Sequence, residues 1–188
     1  RAGRPADAPW FLYLAAGTAM ASLALVTWFG FGIDGDPHGI VWVYAAYAIA
    51  GVVAAWRIDK AYLAWTASGL LLLTLVQALV YRWTLPLEPL HVWSVALLGH
   101  SSVAIALAGA RKWSRGGKES LLTAVLLRSA LVSSLIVPGL LALTVRIVSA
   151  QEMTPHLVWL SAVWLGLACL GGWPRAFTAF QVASFAAV

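Results

Sequence analysis

Residues 61–81 read AYLAWTASGLLLLTLVQALVY, 21 consecutive positions without a charged side chain. At about 1.5 Å per residue, a helix of that length covers roughly the 30 Å of a bilayer's hydrocarbon. The apolar run at 70–73 is unbroken. A strand of a membrane barrel would alternate apolar and polar residues instead. This segment therefore reads as a transmembrane helix.

Five further segments meet the same test: 10–29, 40–56, 92–110, 121–148 and 157–173. A seventh apolar run, 175–188, starts at Arg175 and stops at Val188, too short to cross. Gly and Pro mark the breaks, at Gly35-Asp36-Pro37, Pro86-Leu87-Glu88-Pro89, Gly116-Gly117 and Trp173-Pro174. The 10–29 run is longer than the apolar core of a secretory signal. The expectation is one all-α, polytopic transmembrane domain over 1–188, with six full spans and a truncated seventh. A chain that opens at Arg1 and ends inside an apolar run reads as a piece of a longer one, whose seventh helix continues.

Composition agrees. Of 188 residues, 62% are apolar and 10% charged, and mean hydropathy is +0.86. Soluble domains carry about 45–50% apolar and about 25% charged residues. A water-soluble globule of this size has too much surface to hide the excess.

The net charge of +5 raises nucleic acid as a partner, but the positions of the charges answer it. Arg57, Lys60, Arg111, Lys112, Arg115 and Lys118 fill short gaps between apolar runs. That leaves no soluble surface for a basic groove. With the N-terminus inside, nine Lys and Arg fall in inner segments and two, Arg82 and Arg146, in outer ones. This is the positive-inside bias, and it predicts a multi-pass protein of the cell membrane with a cytoplasmic N-terminus. Ten of the 11 tryptophans lie near span ends as an aromatic belt, and Trp164 alone lies deeper.

Three inward-running spans share a pattern: His38, Trp42 and Arg57; His91, Trp93 and Arg111; His156, Trp159 and Arg175. The pattern suggests a repeated helical hairpin. Membrane interfaces alone also favour Trp and Arg at such positions.

Polar groups at membrane depth are the candidate site residues, because they are costly there. His100 sits mid-span, on one face with Ala96, Ala104 and Ala108, a stripe that lets another helix approach closely. A neutral imidazole bonded to a neighbouring hydroxyl explains it most simply. Haem or metal ligation would need a second ligand at that depth. Arg128 lies eight residues after Ser120. It reads either as a charge snorkelling to the inner interface or as an anion-binding or gating group inside the bundle. Helical rise places it at about the depth of His100. Thr74 and Gln77 read as interhelical hydrogen-bond donors. Pro138 frees the Ser134 carbonyl and predicts a kink, with the Ser133 and Ser134 hydroxyls compensating.

On the outer face Asp34, Asp36, His38, His91 and His156 are types that ligate divalent ions, but a Gly/Pro turn with histidines resting at the interface accounts for them more simply, so no metal site is expected. Cys169, the single cysteine, lies among apolar residues and reads as packing.

Absences narrow the function. No span carries Asp or Glu, so the carboxylate relay of a proton pump is missing. No phosphate-binding loop or Ser/His/Asp set is readable. The sequence points to a non-catalytic membrane scaffold or part of a transport pathway. A membrane-embedded enzyme acting on lipid-linked substrates is the alternative. No cofactor is called for. The expected partners are membrane lipids, and further membrane subunits or the rest of the chain.

Overall fold

The structure, a computed structural model, describes residues 8–30, 37–82, 89–144 and 150–186. Every described element is a helix: α1 (Ala8–Gly30), α2 (Pro37–Ile58), α3 (Ala61–Gln77), α4 (Pro89–Ser114), α5 (Leu121–Thr144), α6 (Ala150–Gly171) and α7 (Pro174–Ala186). Five stretches are long and apolar enough to cross a membrane: Gly39–Ile58, Ala61–Tyr81, His91–Ser114, Leu121–Leu143 and Met153–Gly171. The described elements are thus all helical and compatible with a multi-pass membrane bundle.

The boundaries differ from the apolar runs in instructive ways. α4 and α6 begin before the hydrophobic stretches expected at 92 and 157, because hydropathy marks the hydrocarbon, whereas helices continue into the interface. α6 takes in Pro155. α5 is described to Thr144, and 145–149 lie outside the described residues. The third span changes pitch at its end, where Ala78–Arg82 form a π-helical turn.

Successive helices pack as neighbours, α2 on α3, α4 on α5 and α6 on α7. α3 also meets α4 and α5, while α6 meets α4 and α5. The centre of the bundle is thus α3–α6. Leu98, Leu122, Leu126, Val137, Leu160 and Leu167 are fully buried there. Large apolar side chains such as Val53, Leu73, Val132 and Leu143 are exposed. In water they would be a liability; in a bilayer they are the lipid face.

One end of the bundle is basic and cross-linked. Asp59, between α2 and α3, has a left-handed backbone (φ 53°) that Asp tolerates better than most side chains. Its Oδ1 accepts a hydrogen bond from the Leu122 N–H at 3.1 Å, and its Oδ2 one from Arg115 Nη1 at 3.3 Å. A carboxylate from one hairpin therefore caps α5 in the next, where free N–H groups and the helix dipole favour an anion. Nearby, the Arg111 guanidinium lies 4.9 Å from the Trp56 ring centroid, a cation–π contact. Replacing Asp59 with Ala should cost about 1–2 kcal/mol, from the lost cap and the left-handed backbone. Asp59→Asn should cost less than half of that, because it keeps an acceptor and tolerates the conformation. Unfolding titrations of both variants check the order. Arg115→Ala should change little, since exposed ion pairs contribute little.

Candidate functional site

Buried serines of two neighbouring helices converge on His100. The α4 stripe predicted from spacing is buried throughout, at Ala96, His100, Ala104 and Ala108. His100 is 2% exposed, Ser68 of α3 is 2% exposed and Ser133 of α5 is 5% exposed. Ser68 Oγ lies 2.9 Å from His100 Nε2, and Ser133 Oγ lies 2.9 Å from His100 Nδ1. A neutral imidazole offers one donor and one acceptor, and a hydroxyl can serve either. Both ring nitrogens are thus satisfied in either tautomer. One side chain joins three helices.

The layer extends sideways. Ser101 Oγ reaches the carbonyls of Leu97 at 2.8 Å and Ala130 at 3.1 Å, linking α4 to α5. Ser134 accepts a hydrogen bond from Trp164 Nε1 at 3.0 Å, which brings in α6. Trp164 is the tryptophan absent from the interfacial belt. Its depth is explained by this bond. A second link, Trp159 Nε1 to Ser102 Oγ at 2.8 Å, joins α6 to α4.

The role expected for the serines near Pro138 is corrected. Ser133 bonds His100, and Ser134 Oγ donates to the Leu131 carbonyl at 2.9 Å. Neither hydroxyl compensates the carbonyl that Pro138 leaves free. Interhelical partners at the right distance outcompete that local task. Thr74 likewise donates to the Leu70 carbonyl of its own helix at 2.7 Å, rather than across helices. Gln77 Oε1 is buried without a hydrogen-bond partner among the described residues, at the start of the π-helical turn.

Arg128 is not brought to His100. It is exposed and lines a cleft of about 150 Å³ at the basic end with Lys112, Glu119, Thr123 and Trp173. It lies five residues before Ser133, about 7–8 Å along the α5 axis, and helical side chains lean toward the N-terminus. That lean carries the guanidinium toward the basic end, in keeping with the snorkelling alternative.

Of the outer-face candidates, Asp34 and Asp36 lie outside the described residues, as does the His38 side chain. His91 and His156 do meet, with stacked rings whose centroids are 5.3 Å apart. Among the described residues no three metal-ligating side chains gather. Cys169 is exposed on α6. Sequence reading missed Ser68, Asp59 and the Trp164–Ser134 bond. Only Trp164 carried an advance signal, as the one tryptophan away from the span ends.

Chemically the His100 cluster holds no carboxylate among the described residues. A Ser–His pair at 2.9 Å has nucleophile–base spacing, but a working triad also needs an orienting acid and access for substrate. Here the second ring nitrogen is held by another serine. Cavities of about 360, 150 and 380 Å³ open elsewhere and are lined by neither His100, Ser68 nor Ser133. The chain matches no protein-family model, and neither a curated protein nor a solved structure matches it.

Proposed function

We infer that this chain is a non-catalytic membrane bundle that scaffolds a larger membrane assembly. The observation that carries the reading is the polar centre: His100 is bonded on both nitrogens to buried serines of neighbouring helices. A transport pathway or a catalytic site would leave such a group facing water or a substrate cavity. A clamp has it closed.

The finer topology belongs to the same proposal. α1 supplies a sixth span, α7 begins a seventh, and the basic end faces the cytoplasm together with the N-terminus. The positive-inside count supports that orientation. The His91–His156 stack joins corresponding positions of two proposed hairpins, which favours the repeat. The partners of a scaffold are lipids, other membrane subunits and further segments of its own chain.

Thiol accessibility tests both parts. In a Cys169→Ala background, Ser133→Cys should resist small water-soluble thiol reagents added to either side of the membrane. Ser114→Cys should react from the cytoplasmic side only, and Gly35→Cys from the outside only. Reaction of Ser133→Cys at a rate near that of Ser114→Cys would mean a water-filled route to the centre and would end the scaffold reading. Labelling of Ser114→Cys in intact cells would reverse the orientation.

A further inference from the structure

At the basic end two unlike cavities share a wall. The cleft of about 150 Å³ carries Lys112, Arg128, Thr123 and Glu119. Beside it a groove of about 360 Å³ runs along Leu131, Leu135, Trp164 and Ala179, with Arg175 on its lining. Trp173 lines both. On α5 the lining residues 123, 124, 127, 128, 131 and 135 form one helical stripe, as their three- and four-residue spacing requires. From Arg128 to Leu135 that stripe rises about 10 Å. A charged pocket and an apolar groove thus meet at Trp173 along one stripe of α5.

The geometry points to a bound anionic glycerophospholipid, with its phosphate between Lys112 and Arg128 and an acyl chain in the Leu131–Leu135 groove. Charge complementarity selects this occupant. Lys112, Arg128 and Arg175 face the two cavities against the one carboxylate of Glu119. Glu119 and Arg128 make no direct salt bridge; the one found among the described residues is Arg115–Asp59. Lys112 uses one of its three donors on the Leu170 carbonyl at 3.0 Å, which fixes its ammonium at the cleft and leaves two donors for a phosphate. Arg128 supplies a planar fork suited to phosphate oxygens. A charge on the outer surface of a spanning helix is costly unless it snorkels or finds a counter-charge, and an anionic headgroup at the interface supplies one. The apolar groove separates a lipid from a free anion, which has no use for it. This inference is independent of the scaffold reading, since a transporter could hold the same lipid.

The test uses the full chain in nanodiscs of phosphatidylcholine containing one part in five phosphatidylglycerol, followed by native mass spectrometry of retained lipid. Wild type should retain phosphatidylglycerol well above its share. At about 1 kcal/mol for each cation near an anionic surface, Lys112→Gln or Arg128→Gln should each weaken retention about 5-fold, and the pair about 30-fold. Arg128→Lys should recover most of the loss. Ala179→Phe, which fills the groove and leaves every charge in place, should also reduce retention. Unfolding in pure phosphatidylcholine identifies any variant that is simply damaged. For wild type alone, raising salt to 0.5 M should erode the preference. Retention unchanged by the double substitution, by groove filling or by salt would overturn the site. So would millimolar inorganic phosphate displacing the lipid or stabilising the protein equally, which would make the occupant a free anion.

Discussion

His100→Ala should lower the unfolding free energy by about 2–4 kcal/mol. Two terms contribute. The substitution empties the space of an imidazole that is 2% exposed, and large-to-small changes in packed cores typically cost about 2–5 kcal/mol. It also strips the Ser68 and Ser133 hydroxyls of their partner. Hydrogen bonds between membrane helices contribute about 0.6 kcal/mol on average and about 1.7 at most. The estimate sits within the cavity range because serine hydroxyls can turn to their own helix carbonyls, as Ser102 does toward Leu98. Reversible unfolding in bicelles or by SDS titration reads the loss directly. An effect below about 0.5 kcal/mol would mean that the site relaxes at no cost.

Gly51→Leu should cost about 2–3 kcal/mol by overpacking and should act on one interface. A Cβ at Gly51 would stand 3.1 Å from the Ala67 Cβ and 3.3 Å from its Cα. The obstacle includes backbone, so α2 and α3 must separate to admit a larger side chain. Ala55, Ala64 and Ala67 are fully buried, the small-residue contact by which membrane helices approach closely. Gly51→Ala should give a much smaller loss, and adding Ala67→Gly should recover part of it. Hydrogen exchange should rise in α2 and stay unchanged in α4 and α5. Equal effects across the bundle would show that α2 is coupled to the centre more tightly than its packing implies.

Five of the expected spans were legible because hydropathy depends on little beyond composition and length. Residues 61–81 alone decide the class. The inward face of each helix was harder to read. Around a membrane helix both the lipid side and the protein side are apolar, so the periodicity that orients a soluble helix fades. Small residues carry the signal instead. The Ala96–His100–Ala104–Ala108 stripe was readable on that basis, whereas Ser68 looked like one hydroxyl among several in its span.

Arg128 shows a different limit. Its position in the chain fixed its depth to within a turn, but its direction depends on side-chain lean and on α6 and α7, which are distant in sequence. Asp59 was invisible for the same reason. Its partners, Arg115 and Leu122, lie more than fifty residues away. The π-helical turn at Ala78–Arg82 has no sequence cue that we can name.

The central claim is that His100 holds neighbouring helices together through its hydrogen bonds, and a double-mutant cycle addresses it most directly. His100→Ala, Ser133→Ala and the double variant would be unfolded under one set of membrane-mimetic conditions. If the 2.9 Å contact between Nδ1 and the Ser133 hydroxyl is a working clamp, the two single losses should exceed the double loss by about 0.6–1.7 kcal/mol. Additive losses, with no coupling beyond about 0.3 kcal/mol, would contradict the account.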